Sequence, residues 1–171
     1  MQLDVTQALQ DQFADSISTT DNFRGEVTFN VDPAKIVDIC RYLHGTEGLD
    51  YKFLSDITAV DYYPEEPRFA LCYHLLSMRW NQRLRLKVWW SDGDDEVPSV
   101  SGIWQSAIWE EREAHDMYGI PFSGNPDLRR LLMPEDWQGH PGRRDYPLGY
   151  ETVQFSFNYD EVNKHKPYAK E

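Results

Sequence analysis

Cysteine is nearly absent from the 171-residue chain: only Cys40 and Cys72 occur, and they form no Cys-x-x-Cys pair. Two thiols cannot supply the four ligands of an ordinary Fe–S cluster or structural zinc, so both read as core residues. Long apolar runs are missing too, and no stretch approaches the ~20 residues needed to span a bilayer. The opening Met1-Gln2-Leu3-Asp4 has no basic region followed by an apolar block, so no secretory signal is expected. The chain reads as cytoplasmic and soluble, or as attached to a membrane through a protein partner. Gly-x-Gly-x-x-Gly, Walker and Gly-x-Ser-x-Gly motifs are lacking, which argues against nucleotide binding and against a serine hydrolase. Cations are scarce: 17 Lys and Arg face 29 Asp and Glu, a formal net charge of −12. Phosphate recognition needs clustered bases, so nucleic acid is excluded as a partner and adhesion to anionic lipid is disfavoured.

What the chain does contain is apolar material, 40% hydrophobic and 14% aromatic, enough for a core. Leu3, Val5, Ala8, Leu9 and Phe13 fall at helical spacing. Glu26 to Val31 alternates as a half-buried strand, and Asp32-Pro33 then opens a helix with Ile36, Val37, Ile39, Cys40 and Leu43 on its apolar face. Gly45 and Gly48 close it. Strands are expected over 53–63, 69–78 and 83–90, and their short connections imply antiparallel pairing. The fold class is α+β: a two-layer arrangement with a mostly antiparallel or mixed sheet of four to five strands and helices packed on one face. The run Asp92 to Glu96 reads as a solvated loop, because it lacks the distal Glu of a calcium loop.

Helical period returns over 99–118, with Val100, Ile103, Trp104, Ala107, Ile108 and Glu111 on one stripe continued by Ala114, His115 and Tyr118. Glu111 lies in line with the buried face. It is either a wet residue beyond the core or one pressed on a partner and neutralised there by Arg. Arg112 and Asp116 are helix neighbours that can pair, as are Glu111 and His115. A metal reading would gather Glu111, Glu113, His115 and His140, but no His-Glu-x-x-His motif supports it.

After Tyr118 the texture changes, since residues 119–151 hold five of the ten glycines and five of the ten prolines. That composition predicts irregular backbone. Yet Phe122, Leu128, Leu131, Leu132, Met133, Trp137, Tyr146, Leu148 and Tyr150 make it no linker, and such a segment needs a surface, its own body or another chain. The chain therefore divides into an α+β body, 1–118, and an extended tail, 119–171. Acids outnumber bases 21 to 10 in the first and only 8 to 7 in the second, so the body faces water and the tail faces partners. Arg129-Arg130 and Arg143-Arg144 are either solubilising charge or interface anchors. Their place beside Leu131-Leu132-Met133 and Tyr146 favours anchors.

The run Glu111-Arg112-Glu113-x-x-Asp116-Met117-Tyr118-Gly119-Ile120, followed by Pro126-Asp127-Leu128-Arg129-Arg130-Leu131-Leu132-Met133-Pro134-Glu135-Asp136-Trp137 and Gly139-His140-Pro141-x-Arg143-Arg144-Asp145-Tyr146-Pro147-Leu148, resembles the C subunit of NADH-quinone oxidoreductase, respiratory complex I. The same family includes the photosynthetic counterpart and relatives in membrane-bound hydrogenases. One departure stands out: Asn125 occupies a position where the family usually has His or Lys. The resemblance implies a scaffold subunit of the hydrophilic arm, without a redox centre, in a complex that moves electrons from NADH through Fe–S clusters to quinone and pumps cations. NADH, FMN, Fe–S clusters and quinone would be bound by other subunits. The partners implied are the quinone-site D subunit and neighbouring Fe–S subunits, on the cytoplasmic side of a cell or thylakoid-type membrane. On that basis Glu111, Arg112, Glu113, Asp116, Arg129, Arg130, Trp137, His140, Arg143, Arg144, Asp145 and Tyr146 are the expected partner-binding residues. A ferredoxin-linked or hydrogenase-type relative is the alternative within the family, and a stand-alone metal enzyme the alternative outside it.

Overall fold

Asp4 caps the first helix, its Oδ1 accepting the N–H of Thr6 at 2.8 Å, and α1 (Val5–Phe13) buries Val5 and Leu9. The computed structural model describes residues 2–147 together with 156, 157, 160, 161 and 164. The rest of the expected tail lies outside the described residues. β1 (Ile17–Phe23) and β2 (Glu26–Val31) form a hairpin closed by Arg24 and Gly25, both at positive φ, as a two-residue turn between right-twisted strands requires. β1 was not expected, because Ser-Thr-Thr-Asp-Asn carries no alternation. It is an edge strand, where polar sequence is tolerated.

Asp32 accepts the N–H of Ala34 at 3.0 Å and Pro33 opens a short 3₁₀ turn, from which α2 (Ile36–Gly45) runs with Ile36, Ile39, Cys40 and Leu43 buried. Three long strands follow: β3 (Phe53–Asp61), β4 (Phe69–Ser77) and β5 (Gln82–Trp90). The sheet order is β1-β2-β5-β4-β3. β2 and β5 pair in parallel and the other neighbours antiparallel, so the sheet is mixed. One face carries Phe29, Val31, Tyr73, Leu86 and Val88 into the core. Burying each such side chain contributes roughly 1.5–3 kcal/mol. The opposite face presents Thr28, Asn30, Thr58, Val60, Cys72, His74, Arg85, Lys87 and Trp89 around a groove. Cys40 is buried as expected, but Cys72 is only partly so, because it points to that groove.

The helical period over 99–106 folds as turns, and α3 begins only at Ala107 (Ala107–Tyr118). Val100 and Trp104 are buried all the same. Two further short strands, β6 (Val97–Pro98) and β7 (Phe122–Ser123), pair in parallel across α3. Through β7 the start of the expected tail enters the body, with Ile120 and Phe122 in the hydrophobic core.

Candidate functional site

Residues 125–147 form a strap laid over α3 and one end of the sheet, and its attachments are polar. Glu111 has no exposed surface. Its Oε2 accepts the Ser99 hydroxyl at 2.6 Å and the Asn125 amide at 2.8 Å, and its Oε1 accepts the Val100 N–H at 2.8 Å. Burial pushes its pKa up, and these donors pull against that rise. The sequence offered a wet residue or one neutralised by Arg at a partner. The structure shows neither: the carboxylate is buried in its own chain and held by neutral donors. Asn125 does what a His or Lys there could also do, which is to donate a hydrogen bond, but it brings no charge.

Asp116 is equally buried and bound differently. Its Oδ2 accepts three consecutive N–H groups, Leu131 at 2.9 Å, Leu132 at 2.7 Å and Met133 at 2.9 Å, while Oδ1 meets Arg130 Nη1 at 2.7 Å. Burial works to raise its pKa, but those donors together hold the group below the ordinary carboxylate range. Four donors on one carboxylate fix the turn at 130–133 as no apolar contact could. Arg112 does not pair with Asp116 one turn on. It reaches instead to the carbonyls of Arg129 and Arg130, the second at 2.7 Å, and to Asp127 at 3.4 Å. Its guanidinium also lies 5.6 Å from the ring centroid of Trp109. Helix spacing permitted the local pair, but Asp116 points inward and Arg112 across the strap. Glu113 is on the exposed side of α3.

The strap's far end is held by an ion-pair chain. Arg68, 7% exposed, donates to Asp61 at 3.0 and 2.9 Å and to Asp145 at 3.2 and 2.6 Å. Burial opposes the Asp61 charge, yet the Arg68 guanidinium and the Arg144 and Tyr63 N–H groups bring its pKa down to about 2. Arg143 donates to the Tyr118 carbonyl at 2.7 Å and forks onto Asp92 at 2.9 and 2.8 Å. The acidic loop, expected only as solvated, therefore carries an anchor. Arg129 forks onto Asp127 at 2.9 and 2.8 Å and stays exposed. Arg144 gives its backbone N–H to Asp61 at 2.8 Å and Nη1 to the Tyr63 carbonyl at 3.1 Å.

His140 donates from Nδ1 to the Asp116 carbonyl at 2.9 Å, and His115 from Nδ1 to the Ile120 carbonyl at 3.0 Å. The rings lie 6.3 Å apart, and burial lowers the His140 pKa. Among the described residues no three His, Cys, Asp or Glu side chains converge as a metal cage. Tyr146 packs its ring on Gly139, where a Cβ would sit 3.0 Å from the ring, and its hydroxyl donates to the Gln138 carbonyl at 3.3 Å. Gly142 approaches α3 so closely that a Cβ would lie 2.8 Å from the Met117 carbonyl. Held in this way, the strap leaves Leu132 54% and Trp137 40% exposed, with Trp109 of α3 58% exposed. Asp61, Arg68, Asp92, Ser99 and Asp127 were missed by sequence reasoning, because each has a partner 12 to 83 residues away, respectively Arg144, Asp145, Arg143, Glu111 and Arg112.

A family model for "Respiratory-chain NADH dehydrogenase, 30 Kd subunit" matches residues 29–152. The NADH-quinone oxidoreductase C subunit of Roseiflexus castenholzii is 47% identical over 163 residues, covering 95% of this chain and 94% of the relative. The Geobacter sulfurreducens protein of the same name is 50% identical over 141 residues, covering 82% and 86%. Among solved structures, a trypsin-resistant fragment of Nqo5 superposes with a TM-score of 0.61 at 27% identity, over 72% of this chain and 98% of the fragment. A chain of the membrane-bound sulfane sulfur reductase, an archaeal respiratory membrane complex, gives a TM-score of 0.70 at 25% identity over 84% of each.

Proposed function

The chain belongs to the 30 Kd subunit family of the respiratory-chain NADH dehydrogenase, and from that premise we propose that it is a scaffold subunit, without a redox centre, in the peripheral arm of a proton-translocating NADH-quinone oxidoreductase. In this reading it positions the quinone-site D subunit and neighbouring Fe–S subunits, while NADH, FMN, Fe–S clusters and quinone are bound elsewhere in the complex. It sits on the cytoplasmic side of a cell or thylakoid-type membrane and reaches the bilayer through those subunits. Among the described residues no helix is long and apolar enough to cross a membrane.

The observation that carries the reading is the strap. An irregular segment is fastened to its own body by buried carboxylates, and it leaves Leu132 and Trp137 exposed, as α3 leaves Trp109. Rigid aromatic anchors on a fixed backbone are what a protein interface uses, since little side-chain freedom is lost on docking. Its polar side chains serve mainly to hold the strap in shape, and its exposed apolar ones meet the partner.

The test is to purify a tagged chain from detergent-solubilised membranes and identify what comes with it. Recovery of Fe–S and quinone-site subunits with NADH:quinone activity is expected; recovery of this chain alone would sink the proposal. The likeness to the sulfane sulfur reductase chain supports a second reading, the equivalent subunit of a respiratory complex with another electron acceptor. The higher identity to quinone oxidoreductase subunits favours the first.

A further inference from the structure

We propose that the grooved face of the sheet docks an extended, acidic segment of another subunit, held by Lys87 in the groove and Arg144 beyond the end of β3. This rests on the reading that the chain works inside a complex. The groove measures ≈ 450 Å³ and is floored by the outward side chains of β2, β5, β4 and β3. Its cation is preset: Lys87 Nζ lies 3.9 Å from the Trp89 ring centroid and 4.7 Å from that of Tyr62, and it donates to the Tyr62 hydroxyl at 3.0 Å. One donor of three is spent there. No carboxylate among the described residues lies within ion-pair reach of Lys87. Among the described side chains, Glu26 and Asp56 of this face have partners of their own, Glu26 meeting Arg85 at 3.8 Å and Asp56 accepting the Thr58 hydroxyl at 2.7 Å.

Arg144 is fastened just past the end of β3, by its backbone N–H to Asp61 and by its guanidinium to the Tyr63 carbonyl. Tyr63 follows the Lys87 partner Tyr62, and among the described residues the Arg144 guanidinium reaches only that carbonyl. Arg129, Arg130 and Arg143 each hold a carboxylate of their own chain. Arg144 is thus the strap arginine left to meet a foreign one. Charge selects the occupant: on a chain of net charge −12, an acidic segment is repelled over most of the surface and attracted where the Lys87 ammonium and the Arg144 guanidinium have no carboxylate partner among the described residues. Strands that present the short side chains of Thr28 and Thr58 to the groove suit extended backbone better than a helix.

The experiment places a photoreactive benzoylphenylalanine at Thr58 in the assembled complex and maps the crosslinked peptide by mass spectrometry. A crosslink to an Asp- or Glu-bearing stretch of another subunit is expected, and Lys87→Glu with Arg144→Glu should cut its yield about tenfold or more. Crosslinks confined to residues 148–171 of this chain, to lipid, or absent altogether would overturn the proposal, as would an unchanged yield in the double variant. Should that variant fail to fold, Lys87→Gln with Arg144→Gln takes its place and is judged on the same yield. Co-purification of the other subunits without the crosslink would leave the scaffold role standing and remove this inference alone.

Discussion

Glu111 and Asp116 share a helix and complete burial, yet one carries a cation and the other does not. Asp116 has Arg130, and Glu111 has only dipoles from Ser99, Val100 and Asn125. Removing a donor from a buried carboxylate costs the desolvation that the donor offset, about 1–3 kcal/mol. Asn125→Ala is therefore expected to lower the urea-unfolding free energy by that amount, and Asn125→His to restore most of it. Equal stability of Asn125→Ala and the parent would show the bond to be idle. Glu110, the residue before Glu111, lacks such donors on one oxygen. Burial, Asp56 and neighbouring acids raise its pKa from 4.5 to about 7, and its Oε2 has no hydrogen-bond partner. A raised carboxyl pKa means that the folded chain holds the proton more tightly than the unfolded chain. The stability it contributes is complete below the ordinary value and is lost as pH rises through about 7. Glu110→Gln should leave the melting temperature at pH ~4 little changed and raise it at pH ~8, narrowing the fall between them. Parallel pH curves for variant and parent would refute this.

At the level of elements, α3 organises the strap through side chains that point away from each other. Asp116→Ala frees the N–H groups of 131–133 and leaves Arg130 beside a void, so the turn should open while the sheet persists. Trypsin is expected to cut after Arg129 and Arg130 several-fold faster in that variant, read by mass spectrometry at early times. Unchanged cutting would mean that Asp116 does not hold the turn. Much of this layout was legible: the periods of α1, α2 and the three long strands follow from which side chains must be buried, and the run from Glu111 to Tyr146 announced a family. The pairings were not. Helix spacing proposed Arg112 with Asp116, whereas the actual partners lie 14 to 18 residues away in the strap. Period-two and period-3.6 patterns report which face is dry, and they say nothing about which distant donor will meet a buried acid. β1 was missed for a related reason, because a polar edge strand has no burial pattern to read.

For the whole molecule, the decisive question is where the folding unit ends. The acidity that marks 1–118 in the sequence suggests an end at Tyr118, but the packing argues for a unit that runs to Pro147. Ile120 and Phe122 are core residues, β7 completes a pairing with β6, and Arg68 is held between Asp61 and Asp145. A chain stopped at Tyr118 would lose apolar burial at two core positions and leave Glu111, Asp116 and Arg68 short of partners. Breaking a buried ion pair by deleting one member costs about 3–5 kcal/mol. Those losses together are comparable to the whole stability of an ordinary domain, about 5–15 kcal/mol. A fragment of residues 1–118 is thus expected to be insoluble or to show no cooperative melt, whereas a fragment of residues 1–147 should melt within a few degrees of the full chain. Circular dichroism of the two fragments decides it. A cooperative melt from the shorter one would place the boundary where the charge distribution puts it, and would make the buried ends of the strap a consequence of docking instead of a condition for folding.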